Sequence, residues 1–258
     1  GDGEAIIFTE PDNIVAEGSS EHVINIANEG DRRLRWRTVF EAEWMTCDPE
    51  RGFVEIGGDT DLFVVIDAEN LDFGIYEDVL HIASNDRNNP EIPIPIRLTI
   101  SPRIINVPDD FESIQAAIND ADNGNIIQVA PGNYVENINF SGKNILLRGN
   151  PDNPEQVTIN GDANESVVSF CNRETEAAIM SGFTITNGNS QQGGGIFCDN
   201  SNPSLSNLII SENRANESGG GIYCQEAFPT CREVQITGNT AEELGGGIHL
   251  FGNSSIDL

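Results

Sequence analysis

Lysine is nearly missing from this chain. Lys143 is the single one, and the basic residues total 13 against 42 Asp and Glu, for a formal net charge of −29. That balance speaks against nucleic acid or an anionic membrane surface as partner, because a protein that tracks phosphates needs a basic patch. No run approaches the ~18–20 apolar residues that span a bilayer, so no helical membrane insertion is expected in this segment. The opening Gly1-Asp2-Gly3-Glu4 has no basic region followed by an apolar one, so it does not read as a signal peptide; a leader was removed or the chain was never exported. Cysteine is sparse as well. Five is an odd number, too few for a disulfide-stapled scaffold, and no CxxC pair points to zinc.

What is present is a folding composition. Hydrophobic residues make up 38% of 258 residues, enough for one or two domains with real cores. Asparagine is unevenly spread, with 7 in residues 1–102 and 22 in 103–258, whereas acidity is not: the two parts carry net charges of −15 and −14. Both parts therefore suit one environment, and a surface so acidic and poor in lysine fits a saline or extracellular setting. The boundary falls at Ser101-Pro102-Arg103, where proline interrupts a strand-like run.

Residues 1–101 read as seven short strands at Ala5–Phe8, His22–Ala27, Leu34–Phe40, Phe53–Ile56, Leu62–Asp67, Val79–Ala83 and Ile94–Ile100, with turn signals between them. In the second, Val23, Asn25 and Ala27 share one face and His22, Ile24 and Ile26 the other. The pattern predicts an antiparallel β-sandwich with Trp36 and Trp44 in its core. Three stretches carry a family likeness: Asn28-Glu29-Gly30 after a strand, Gly74-Ile75-Tyr76 entering the next-to-last strand, and Ser84-Asn85-Asp86 leaving it. With them the segment resembles bacterial Ig-like domains of surface and secreted proteins, including those related to abnormal-spindle and hydin domains and the BACON-type modules. The resemblance implies spacing, anchoring or binding.

Residues 102–258 open with a helix over about 109–122, where Phe111, Ile114, Ala117, Ile118 and Ala121 fall on one face. Asp109 or Asp110 is the expected N-cap, and Gly124 ends the segment. Short apolar strands with Gly, Asn and Pro turns follow. Then Gly-Gly-Gly-Ile occurs at 193–196, 219–222 and 245–248, a step of 26 each time. Phe197 with Tyr223, Cys198 with Cys224, Pro203 with Pro229, Ile210 with Ile236 and Asn213 with Asn239 keep that step. A unit of this length holding three strands and three turns is one coil of a parallel β-helix, since no unit can bury its apolar face alone. The expected columns are Ile196, Ile222 and Ile248 inside, the glycine pairs Gly194-Gly195, Gly220-Gly221 and Gly246-Gly247 at a positive-φ corner, and Asn213 and Asn239 in an amide ladder. The sequence stops inside a coil with no capping segment, so further coils or a second subunit are expected over an open end that shows Ile256 and Leu258.

The helix followed by such strands resembles the N-terminal part of right-handed parallel β-helices of the pectin-lyase-like superfamily. The triple Gly-Gly-Gly-Ile, with Ile210-Ser-Glu-Asn213 and Ile236-Thr-Gly-Asn239, resembles the GGxI and FxxN repeats of polymorphic outer-membrane proteins, with isoleucine in place of phenylalanine. Residues 111–138 and 182–187 resemble the front half of pectinesterases, but the QAVA-, QDTL- and DFIFGN-like catalytic stretches do not follow, nor do the signatures of polygalacturonases. No catalytic residue is therefore assigned. His249 reads as a surface histidine beside Phe197 and Tyr223, and His22 and His81 as isolated. Cys198 and Cys224 read as stacked buried thiols, extended by Cys171, with Cys231 interior in the place of Leu205. No cofactor is expected beyond weak Ca2+ binding at acidic turns such as Asp59/Asp61 and Asp162/Glu165; the metal question stays open. The expectation is an all-β, non-enzymatic extracellular or cell-surface protein with a structural or adhesive role, as part of a fibre or surface assembly, whose partners are other copies of itself, cell-surface proteins or glycans. The alternatives are a carbohydrate-active β-helix enzyme and a carbohydrate-binding module that uses outward Phe197 and Tyr223.

Overall fold

A computed structural model describes residues 3–257, and the chain separates into two compact units between Ser101 and Pro102. In the first unit two sheets face each other. One runs Ile7–Glu10, Ser20–Asn28, Asp59–Ile66, Met45–Asp48; the other runs Ile14–Glu17, Glu91–Ile100, Gly74–Ser84, Leu34–Val39, Arg51–Val54. Alternation decides which side is core: Ile24, Ile26, Leu62, Val64, Leu80, Ile82, Ile94 and Ile96 are buried, and Trp36 joins them. This is the Ig-like sandwich that the strand pattern implies. Two strands escape sequence reading, Ile14–Glu17 and Met45–Asp48, whose buried positions are Ile14 with Ala16 and Met45 with Cys47, a set with a single β-branched residue and so little strand signal. The first corrects the antiparallel expectation: it pairs parallel with Glu91–Ile100, Ile14 opposite Ile96. Alternation reports which face is buried and says nothing of strand direction.

The family-like stretches have local causes. Asn28 is buried, and its amide donates to the carbonyls of Arg32 and Val54 at 2.8 and 3.2 Å while accepting from the Gly30 N–H at 3.1 Å. Gly30 lies so close to the first strand that a Cβ there would sit 2.2 Å from the Glu4 carbonyl. Asp86 is buried and accepts from the N–H groups of Ile7, Asn88 and Asn89 at 3.1, 2.8 and 3.2 Å, tying the first strand to the turn after Gly74–Ser84.

The second unit is a parallel β-helix. Along one face stack six strands or strand halves: Ile104–Val107, Ile126–Val129, Leu146–Arg148 and the first halves of Ile179–Thr186, Ser204–Ser211 and Thr230–Thr237. The second halves continue Gly132–Val135 and Val157–Asn160 on the adjoining face. A third face stacks Ile138–Asn139, Val168–Phe170, Ile196–Asp199, Ile222–Gln225 and Ile248–Phe251, and a short fourth row stacks Asn189–Gln192, Arg214–Ser218 and Thr240–Ala241. Each full coil thus has three strands, the middle one bent where Gly182, Asn207 and Glu233 stack in the left-handed region at φ 83°, 51° and 56°. Other corners repeat the device: Asn187, Glu212 and Gly238 form one such column, Asn200, Glu226 and Gly252 another. Asparagine tolerates this conformation better than most residues, which accounts for part of its enrichment after residue 102.

The capping helix is shorter than periodicity predicts, Ile114–Asp120, and neither Asp109 nor Asp110 caps it. Asp110 instead accepts from the Asn106 N–H at 2.7 Å and holds a turn, so helical geometry begins only after Ser113. Ser113 Oγ accepts from the Ala116 N–H at 3.2 Å, and the Glu136 carboxylate takes the N–H groups of Ile114 and Gln115 at 3.0 and 2.9 Å. At the other end the one lysine satisfies three terminal carbonyls: Lys143 Nζ donates to Ile118, Asn119 and Ala121 at 2.8, 2.7 and 2.6 Å. Ile114, Ala117 and Ile118 are buried against the first coil. At the far end the chain after Phe251 runs on along the coil: Thr230 and Asp257 bridge in parallel, the Cys231 N–H donates to the Asp257 carbonyl at 2.6 Å, and Ile256 is half-buried against the core; Leu258 lies outside the described residues. No helix among the described residues is long and apolar enough to cross a membrane.

Candidate functional site

The triple-glycine corner organises the last coils. Strand pairing sets Ile196 beside Ile222 and Ile222 beside Ile248, then Phe197, Tyr223 and His249, then Cys198, Cys224 and Leu250. Ile196 and Ile222 are fully buried, whereas Ile248 is half-buried because no coil of the described chain lies over it. The corner itself differs from the sequence expectation. Only the first glycine of each triplet, Gly193, Gly219 and Gly245, has positive φ. The next two are required by close approach. A Cβ on Gly194 would lie 2.3 Å from the Arg214 carbonyl, on Gly195 2.6 Å from that of Gly221, on Gly220 2.2 Å from that of Thr240, and on Gly221 2.5 Å from that of Gly247. Gly246 and Gly247 face fewer atoms, with nearest approaches of 3.0 and 3.6 Å. The reason is stacking: backbones of successive coils close directly over each other here, and a side chain has nowhere to go.

Beside the corner runs the amide ladder. Asn213 is buried; its Nδ2 donates to Asn239 Oδ1 at 2.9 Å and to the Ile185 carbonyl at 3.0 Å, and its Oδ1 accepts from the Gly188 N–H at 2.9 Å. Asn239 Nδ2 donates to the Ile210 carbonyl at 2.7 Å. These side chains satisfy backbone groups that the turn leaves without a strand partner. A second buried polar group, which no repeat in the sequence marks, does similar work at another corner. Glu174 accepts from the N–H groups of Gly142 and Asn172 at 2.7 and 2.9 Å and from Ser201 Oγ at 2.8 Å.

Four of the thiols are buried, Cys47, Cys198, Cys224 and Cys231, and Cys171 is half-buried. All five cysteines are free. Cys198 and Cys224 stack, but Phe170, not Cys171, precedes them in the column, since the pairing sets Phe170 opposite Cys198 and leaves Cys171 beyond the strand's end. Cys231 pairs with Leu205. The hydrogen bond with Cys224 and then burial push the Cys198 thiol up, and burial, with the neighbouring Cys224, pushes Cys231 up to about 12. Thiols held protonated in this way are poor nucleophiles and poor metal ligands.

The outward column is aromatic. Phe197 and Tyr223 stack with ring centroids 5.7 Å apart and 7° between planes, and Tyr223 and His249 follow at 5.4 Å and 15°. Tyr223 is buried rather than presented, which corrects the expectation of a free pair; burial and then the Glu217 and Asp199 charges raise its hydroxyl. Phe197 stays partly exposed at the wall of an open groove of about 530 Å3 whose other lining residues include Ser166, Asn189, Ser190, Gln192 and Asn216. Asp109 and Asp110 lie far along the chain in the turn before the capping helix. Asp59 and Asp61 both accept from the Asn25 amide, at 2.9 and 3.0 Å, and among the described residues no group of three or more His, Cys, Asp or Glu is arranged to hold a metal. His81 lies beside the Glu91 carboxylate on the neighbouring strand.

Fold and ladders together define the class: an Ig-like sandwich and a parallel β-helix built from glycine-cornered repeats. A family model described as the Chlamydia polymorphic membrane protein repeat matches residues 207–225, the stretch that holds Ile210-Ser-Glu-Asn213 and the second Gly-Gly-Gly-Ile. No curated protein matches. Solved structures similar to the chain include SSP-19, an MSP-domain protein like family member in Caenorhabditis elegans, at 15% identity over 35% of this chain and 97% of that one with a TM-score of 0.31. The ASH/PapD-like domain 7 of human CEP192 is similar at 14% identity over 38% of this chain and 83% of that one, TM-score 0.29. WR4, a C. elegans MSP family member, is similar at 18% identity over 38% and 99%, TM-score 0.30.

Proposed function

We propose that the chain is a non-enzymatic extracellular or cell-surface protein with a structural or adhesive role. In this reading the β-helix is a rigid element that presents its outer faces, and the Ig-like unit is a spacer or docking module. Other copies of the chain, cell-surface proteins and glycans are the partners proposed. The observation that carries it is the use of the repeat. Its glycines and asparagines are committed to closing one coil on the next. The repeat match to a polymorphic membrane protein supports a surface setting. The test is retention of the labelled chain on whole cells, together with incubation on pectin and other uronate polysaccharides. Saturable cell retention with no change in the polysaccharides is expected. New reducing ends, unsaturated products or released methanol would replace this reading with the enzyme alternative.

The groove beside Phe197 favours a second reading for the β-helix, a carbohydrate-binding surface. One partly exposed ring flanked by amides and hydroxyls suits the apolar face and hydroxyl rim of a neutral sugar. A glycan array with the parent chain and Phe197→Ala decides it: signal lost in the variant supports the groove, and equal signal removes it.

A further inference from the structure

Basic residues number only 13 in this acidic chain, yet Arg33, Arg35, Arg37 and Arg51 line a single cleft of about 850 Å3 on the Ig-like unit. Strand alternation puts them there. Leu34 and Trp36 turn into the core, so Arg35 and Arg37 turn outward. On the paired strand Arg51–Val54, Phe53 stands opposite Arg35 and Arg51 opposite Arg37. Guanidinium stems on one strand are then ~7 Å apart, and those on facing strands ~5 Å. Arg33 pairs with Glu55, and its guanidinium carbon lies 4.7 Å from the centre of the Phe53 ring. Among the described residues Arg35, Arg37 and Arg51 form no ion pair and no side-chain hydrogen bond. Arg32, Arg87, Arg148, Arg173 and Arg232 likewise form no ion pair among the described residues, so what sets these three apart is that they share one cleft. Like charges set opposite each other across strands destabilise a sheet, so the arrangement costs the fold and returns nothing within it.

We propose that this cleft binds an acidic polysaccharide through carboxylate or sulfate groups. Arginine is the appropriate residue, since its planar fork takes such oxyanions two bonds at a time. Phe53 is 60% exposed between the charges and offers an apolar platform for the C–H face of a sugar ring. A peptide recognised by a sheet adds to its edge through backbone hydrogen bonds. Here the charges lie on the sheet's face, and on the edge strand the Val54 carbonyl already accepts from Asn28. Duplex nucleic acid, with one charge per ~1.7 Å, would meet three free guanidinium groups and the repulsion of the remaining surface. A glycan with at most one charge per sugar matches the spacing with far less repulsion. The proposal concerns the Ig-like unit alone and stands whether or not the β-helix has an adhesive role.

Calorimetric titration of the whole chain at physiological salt tests it, with four probes: an oligogalacturonate, a sulfated oligosaccharide, an uncharged oligosaccharide and poly-glutamate. Binding of one or both acidic glycans is expected, the tighter showing whether carboxylate or sulfate is the natural group. The double variant Arg35→Gln/Arg37→Gln should lose at least tenfold in affinity. Arg97→Gln, on the same sheet and paired with Glu77 at 3.5 Å, should bind like the parent. Arg51→Lys keeps the charge and removes the fork, so it should lose several-fold even if the double variant fails to fold. Parent-like binding by Arg51→Lys and the folded double variant would overturn the proposal. So would no binding to either acidic glycan, equal binding of the uncharged sugar, or tighter binding of poly-glutamate.

Discussion

Gly221 and Gly247 hold the same place in successive coils but different surroundings. A Cβ on Gly221 would lie 2.5 Å from the Gly247 carbonyl, whereas on Gly247 its nearest neighbour is Ile236 Cγ2 at 3.6 Å. Gly221→Ala should therefore destabilise the β-helix by ~3 kcal/mol through forced separation of coils. Gly247→Ala should stay within ~0.5 kcal/mol. Urea unfolding of both variants measures the difference. Gly220→Val should be at least as damaging as Gly221→Ala, but because of the Thr240 carbonyl 2.2 Å away and not because of positive φ. Asp86 gives a second expectation. Burial would raise its carboxyl, but N–H groups of Asn88, Ile7 and Asn89 and the Asn89 amide outweigh it and hold the group below its ordinary value of 3.8. A depressed folded value stabilises above the unfolded value and is lost as pH falls through the folded one. Asp86→Asn should thus melt earlier than the parent at neutral pH, with the gap closing as pH falls below 3.8. A gap that stays constant to lower pH would contradict this account.

Among elements, the capping helix shows most clearly what a sequence conceals. Its buried face is legible, since Ile114, Ala117 and Ile118 keep helical spacing. Its ends are not, because Glu136 and Lys143, which satisfy them, come from later in the chain. Lys143→Met should leave three helix-terminal carbonyls without their charged donor and cost ~2 kcal/mol. Lys143→Arg should recover part of that in the same thermal melts. Exposure of the first coil should follow, measured as faster amide exchange in Ile104–Val107 and Ile126–Val129. The strand Ile14–Glu17 makes the same point: four residues with alternating burial are visible only once the partner strand is known.

Across the whole molecule, charge repulsion governs how stability responds to solvent. Four arginine–carboxylate ion pairs among the described residues, all at exposed positions, contribute ~0–1 kcal/mol each. They act against the mutual repulsion behind a net charge of −29, and repulsion wins. Melting temperature should rise from low-salt buffer to molar NaCl, and a flat response would remove the argument for a saline setting. Sequence alone determined the two all-β units, the 26-residue coil and the columns within it, because repetition and alternation are one-dimensional records of which side chains share a face. Only tertiary structure decided the rest. Whether a glycine is needed for φ or for room depends on the coil above it. Whether Tyr223 is presented or buried depends on the rings of the coils on either side of it. That three arginines meet without a carboxylate partner depends on the pairing of Leu34–Val39 with Arg51–Val54, a register set by contacts between strands and written in neither strand by itself.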